Sequence, residues 1–344
     1  MDSTNSAIIA TVPLQQQWPT LDPFLFCAHH DDDYPEGNGA LAPSTSLKGR
    51  SIGSDFSNTD GWSMYHGSTV PGFPQHPHRG FETITYCRHG LIDHSDSMGA
   101  TARFGRGDVQ WMTAGSGVVH AEMFPLVNTD TRNPTELFQI WLNLPAADKM
   151  VDAYFTMFWA EDLPVIELPD GGTATVIIGS LGDEVPPSPP PNSWASQTGA
   201  NISMVHLTLP AGSQWVLPAT AETSGRMLYL FEGNGLKVGE DPSAVFDVDT
   251  GIQLLPDVDV RLASGSEAIE CLLLQGTPIG EPVAQYGPFV MNTRTEIQQA
   301  FEDYQRTQFG GWPWESDDPT HAAHDDRFAI HADGTKDTPP ELWD

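Results

Sequence analysis

The chain has 344 residues, of which 39% are hydrophobic, a length that accommodates about two domains with a real core. It carries 46 acidic against 15 basic residues, a formal net charge of −31. That balance argues against direct binding to nucleic acid or anionic membrane, which needs clustered Lys and Arg.

Lysine occurs four times, and Asp outnumbers Glu. Such a surface fits a generic acidic protein or, the reading we favour, a chain built for high salt, where counterions screen its self-repulsion. No apolar run approaches the roughly 18 residues that a membrane span requires, so the expectation is a soluble protein. The first residues, MDSTNSAIIATVPLQQQ, lack both a basic start and a proper apolar segment, and no secretory signal is expected. Cys27, Cys87 and Cys271 are odd in number and far apart, which points to free thiols and a reducing, cytoplasmic setting.

With 32 Gly and 29 Pro, turns are frequent and short strands are favoured over long helices. Residues 1–35 are polar around one apolar patch, Leu21–Phe26. The run His29-His30-Asp31-Asp32-Asp33 that follows reads as a solvated loop, with cation binding the less favoured alternative. Residues 36–60, rich in Gly, Ser and Asn, read as a long surface excursion. From Trp62 on, strands and turns alternate quickly. Glu82–Cys87 alternates polar and apolar as a half-buried strand does, Val109–Met112 is another strand, and Leu137–Leu144 puts Phe138, Ile140, Leu142 and Leu144 on one face.

Residues 145–170 read as an inter-domain connection. A second set of strands follows at Thr175–Ile178, Ile202–Leu209, Met227–Phe231, Ile252–Leu255 and Ala268–Leu274, with the prolines of 185–191 in an extended loop. One helix is expected over 293–309. Thr293 to Glu296 is a capping box, Ile297, Ala300, Phe301 and Tyr304 recur at helical spacing, and Gly310-Gly311 ends it. Residues 312–344 read as an acidic tail, ordered in part or flexible, in which His321, His324 and His331 lack a strand framework that would hold a metal.

The chemistry concentrates in residues 71–125. His76-Pro77-His78 and His120-Ala121-Glu122 each place two metal-binding groups two residues apart, on one face of a strand. Pro77 supplies no ladder hydrogen bond, so its segment should start a strand or lie beside a bulge. Three imidazoles and one carboxylate suit Fe, Mn, Ni, Cu and Zn alike. Trp111, Met112, Met123 and Phe124 are candidates for an aromatic pocket wall, or for ordinary core.

HPHRGFETITY, GDVQWMTAGSGVVHAEM, LFQIWLNLP and EPVAQYGPFVMNT resemble the signature blocks of the pirin family in order and spacing, from about Leu21 to Gly311. The resemblance implies an all-β bicupin: two tandem antiparallel β-barrels of jelly-roll type with a short C-terminal helix. The expected boundaries are 1–150 for a metal-binding N-terminal barrel, 151–311 for a metal-free C-terminal barrel, and 312–344 for the tail. It also implies one divalent metal, Fe(II) first, held by His76, His78, His120 and Glu122. Two functions follow from the resemblance. One is a quercetin 2,3-dioxygenase-type enzyme that opens flavonols with O2, with Glu122 as general base. The alternative is an iron-dependent redox sensor or regulatory cofactor acting through protein partners. His89 before Gly90, the long 36–60 loop and the acidic tail depart from the family pattern.

Overall fold

The computed structural model describes residues 7–341; the extreme N-terminus and the last three residues of the tail lie outside the described residues. The chain divides into two compact units, each drawn from both ends of a split. One holds residues 28–161 with 281–341, the other 7–27 with 162–280. These are not the contiguous halves expected from sequence, and the reason is strand pairing at the termini. The strand Ile8–Pro13 pairs antiparallel with Thr250–Leu254, while the C-terminal helix and tail pack on the unit that begins at Ala28. No helix among the described residues is long and apolar enough to cross a membrane.

In the first unit, nine strands frame the site: β1 (Phe24–Tyr34, in this unit from Ala28 on), β2 (Gly72–His78), β3 (Phe81–His89), β4 (Leu91–Asp96), β5 (Thr101–Gly105), β6 (Asp108–Thr113), β7 (Val118–Met123), β8 (Asn133–Asn143) and β9 (Tyr154–Phe158). One sheet has the order β9-β6-β3-β8-β1. The other runs β5-β4-β7-β2, extended past β5 by tail strands Phe328–Ile330 and Lys336–Asp337. The two sheets face each other across an interior to which both contribute, an open double-sheet arrangement of the jelly-roll kind rather than one closed ring of hydrogen bonds among the described residues.

β3 is rich in β-branched and aromatic residues, which suit a pleated sheet. It is buried on both faces from Phe81 to Cys87 rather than half-buried, because β8 and β6 flank it and both of its faces are covered. Gly90 turns the chain from β3 into β4 at φ 79°, and a Cβ there would meet Thr135 Oγ1 at 2.4 Å. The His29–Asp33 run is part of β1, not a solvated loop. Asp32 is 2% exposed and accepts from Ser63 N–H at 2.8 Å and Tyr65 Oη at 2.7 Å. Its neighbours bury it because every second residue of a strand points inward. The 36–60 excursion is anchored at its middle: Arg50 donates to Asp55 Oδ2 at 2.8 Å and stacks 3.4 Å over the Trp62 ring.

Helix α1 (Arg294–Thr307) starts at the expected cap, with Thr293 Oγ1 accepting from Glu296 N–H at 3.2 Å. Glu296 returns its carboxylate to the N–H of Asn292 at 3.1 Å, one residue earlier than a capping box requires. The tail is built into the unit. His321 N–H donates to Asp93 at 2.8 Å, and the Trp314 indole N–H to the Asp96 carbonyl at 2.8 Å. Arg103, already paired with Asp93 through two bonds of 2.7 Å, donates onward to the Ala322 carbonyl at 2.6 Å.

The second unit has a seven-stranded sheet and a four-stranded one. Its strands Thr173–Ile178, Ser203–Leu209, Gly225–Glu232, Thr250–Leu254 and Ile269–Gly276 follow the sequence expectation closely. Leu, Ile and Val fill its core, among them Leu207, Leu228, Ile252, Leu262 and Leu273.

Candidate metal centre

β2 and β7 lie side by side and antiparallel, with His76 opposite His120. β2 is an edge strand with a register shift between Phe73 and His76, the kind of position that tolerates Pro77. The three imidazoles converge. Ring centroids are 4.8 Å apart for His76 and His78, 4.4 Å for His76 and His120, and 4.9 Å for His78 and His120. Among the described residues, these are the one group of three or more ligand-type side chains whose ligand atoms all lie within 4.8 Å of one another.

Protonation favours ligation. His76 Nδ1 is 2.8 Å from the Pro74 carbonyl, an acceptor, so that nitrogen carries the proton and Nε2 keeps its lone pair. Burial lowers the His76 pKa to about 4 and takes those of His78 and His120 well below the usual range, with neighbouring imidazoles adding to the effect. All three rings are therefore neutral near pH 7. His78 Nδ1 and both nitrogens of His120 are buried with no hydrogen-bond partner. An unsatisfied buried polar atom costs about 1–3 kcal/mol. A neutral imidazole has one N–H and one lone-pair nitrogen, and the lone pairs of these rings, gathered in one place, call for a partner that accepts them. A divalent metal fits that donor set.

Glu122 stands beside this triangle, outside the group of three. Its carboxylate accepts from Thr85 Oγ1 at 2.9 Å, and burial raises its pKa, opposed by His94 and by the Thr85 bond. His94 lies directly opposite Glu122 in the β4–β7 register, fully buried, with Nε2 3.2 Å from Asp96 Oδ2 and Nδ1 3.3 Å from Gln110 Nε2. Sequence reasoning passed over it, although His94-Ser95-Asp96 is a third pair at the same two-residue spacing as the others.

The pocket-wall candidates separate. Met112 shares its inward face with Gln110, while Trp111 alternates to the opposite face and meets Phe158 at 5.9 Å. Met123 packs with Leu41 and Val70, and Phe124 with Tyr65 and Phe73, both as core. The rings beside His78 are instead Phe81, at 5.2 Å, and the half-buried Trp141, at 5.5 Å. The apolar face of β8 that the sequence singled out, with Phe138, Ile140 and Leu142, is the one turned away from the histidines. Elsewhere, His206 of the second unit bonds Glu270 at 2.6 Å, and tail residue His321 reaches Thr101 Oγ1 at 3.1 Å.

Comparison with known proteins agrees with this picture. The Pirin family profile matches residues 6–142, and that of the Pirin C-terminal cupin domain matches 204–310. A Pseudomonas aeruginosa protein provisionally named a quercetin 2,3-dioxygenase is 38% identical over 68% of this chain and 79% of its own length. A pirin-like protein of Solanum lycopersicum is 37% identical over 78% of this chain and 87% of its own. The crystal structure of quercetin 2,3-dioxygenase from Acinetobacter baumannii superposes with a TM-score of 0.69 at 25% identity, covering 88% of this chain and 98% of that one. The chain belongs to the pirin family.

Proposed function

We propose that this protein is a metal-dependent dioxygenase that opens flavonols such as quercetin with O2. The observation that carries the reading is the triangle of neutral imidazoles, of which His78 and His120 are buried with nitrogens that have no partner in the protein. The names of the P. aeruginosa relative and the A. baumannii structure support the substrate class. Held by His76, His78 and His120, with Glu122 as fourth ligand and Fe(II) as the first expectation, a divalent ion would supply the Lewis acidity that favours an ionised flavonol 3-hydroxyl.

The chain's own residues do the rest. Glu122, its pKa raised by burial, accepts the proton of the flavonol hydroxyl as general base. The Thr85 hydroxyl holds that carboxylate in place through its 2.9 Å bond. His94, held by Asp96 and Gln110, stands opposite Glu122 on the neighbouring strand and is the imidazole that favours its charged form. His76, Gln139 and Trp141 are only half-buried, and they mark the side from which a small molecule reaches the site.

The test is incubation of iron-loaded protein with quercetin and O2, following loss of the flavonol absorption and release of carbon monoxide. Turnover that disappears in His120→Ala together with bound metal is the expected result. Full metal occupancy with no turnover across several flavonols would overturn the reading and favour the regulatory role instead.

A further inference from the structure

The inward face of β3 carries Thr83 and Thr85, one pleat apart, and the flanking strands place a residue on each side of both. Thr85 lies between Gln110 and Gln139, and Thr83 between Met112 and Trp141. The two hydroxyls differ. Thr85 Oγ1 is within bonding distance of Glu122 at 2.9 Å, Gln139 at 2.7 Å and Gln110 at 3.3 Å. Thr83 is fully buried, and its Oγ1 has no hydrogen-bond partner. A folded chain ordinarily avoids such an orphan, because desolvating a hydroxyl without a replacement bond is unfavourable.

Its surroundings say what the missing partner is. Trp141 beside it presents a half-buried ring, edge-on to His78 at an interplanar angle of 70° and 4.2 Å from the Phe81 centroid. Met112 closes the other side. Thr83 lies between an indole and a thioether, a setting that suits a flat apolar body carrying an isolated oxygen. We infer that Thr83 and Trp141 form the substrate-facing wall of the site, with the Thr83 hydroxyl bonding a hydroxyl or carbonyl oxygen of a planar aromatic molecule that lies against Trp141. The identity of that molecule rests on the flavonol reading, whereas the placement of the wall rests on strand register alone.

The experiment compares wild type, Thr83→Val and Thr83→Ser, all metal-loaded. Quercetin binding is measured by anaerobic equilibrium dialysis, alongside metal content and thermal melting. Valine keeps the shape and removes the hydroxyl, so quercetin binding should weaken on the order of tenfold. Serine should bind within about threefold of wild type. Metal content should not change, and Thr83→Val should melt at or above the wild-type temperature, because it removes an unpartnered polar atom.

Equal binding by Thr83→Val would overturn the inference, as would equal weakening by Thr83→Ser. A clear fall in melting temperature in Thr83→Val would also overturn it, by showing that the hydroxyl is satisfied in the free protein. Wild type that binds neither quercetin nor 3-hydroxyflavone would sink the flavonol reading and this inference together; failure of the valine variant alone to lose affinity sinks only the inference.

Discussion

The two units use the same kind of antiparallel sheet and fill the interior in opposite ways. In the unit of residues 162–280, the inward positions of its central strands are Val205, Leu207, Leu228, Leu230 and Ile252, a core closed by dispersion and burial. Its lone histidine, His206, falls between Val205 and Leu207 in the chain and so onto the other face, where Glu270 takes it up. In the histidine-bearing unit, the inward positions of β3, β6, β7 and β8 near the site include Thr83, Thr85, Gln110, His120, Glu122, Gln139 and Trp141, with Phe81 and Met112 as the apolar members. The lesson concerns stability as much as chemistry. A sheet interior can forgo part of its apolar filling where the rest of the unit is firmly held. Here the Tyr34, Trp62, Phe104 and Phe155 cluster and the docked tail hold it.

That contrast can be broken most directly at Glu122. Glu122→Gln keeps the shape and the Thr85 contact but removes the basic carboxylate, and quercetin turnover should fall by about 10²–10⁴-fold. Retained metal content in that variant would assign Glu122 chiefly as a base, and lost metal chiefly as a ligand. Unchanged turnover would remove it from the chemistry. On the other side of the comparison, Leu207→Ala should cost about 2–5 kcal/mol in chemical denaturation. Metal content of the folded variant should stay at the wild-type level, and a drop there would contradict the division of labour between the units.

A smaller effect tests the strand β1. Burial pushes the Asp32 pKa up to about 7, against the opposing bonds from Tyr65 and Ser63. Its folded value lies above the unfolded one, so its contribution to stability is fully present below about pH 4 and is lost as pH rises through about 7. Thermal melts of wild type and Asp32→Asn from pH 5 to pH 8 should therefore diverge, with wild type losing ground to the variant at higher pH. Parallel curves would mean that Asp32 keeps an ordinary carboxylate pKa.

Much of the site was legible because it is local. His76 and His78 share a face whatever the rest of the chain does, and so do His120 and Glu122, since alternation is a property of any extended backbone. The Thr293 N-cap of α1 was legible for the same reason. The His29–Asp33 run misled because polar composition signals exposure only on average. Asp32 is polar and nearly inaccessible because Ser63 and Tyr65, some thirty residues away, arrive to bond it. Trp111 misled in another way: its closeness in sequence to His120 says nothing about which face it takes.

What the sequence determined by itself was a part of the strands, among them Val109–Met112, Leu137–Leu144 and the central strands of the second unit, together with the helix start and the pairing of ligand-type residues within each short motif. Only the tertiary structure decided that β2 and β7 stand His76 opposite His120, and that the Gln139–Trp141 face of β8 looks toward the histidines. It also decided that the first strand and the last segment of the chain belong to different units from those their positions suggest. The physical reason is common to all three. Register and sheet neighbours are settled by hydrogen-bonding and packing between segments far apart in the chain, and a one-residue slip would turn every inward side chain outward.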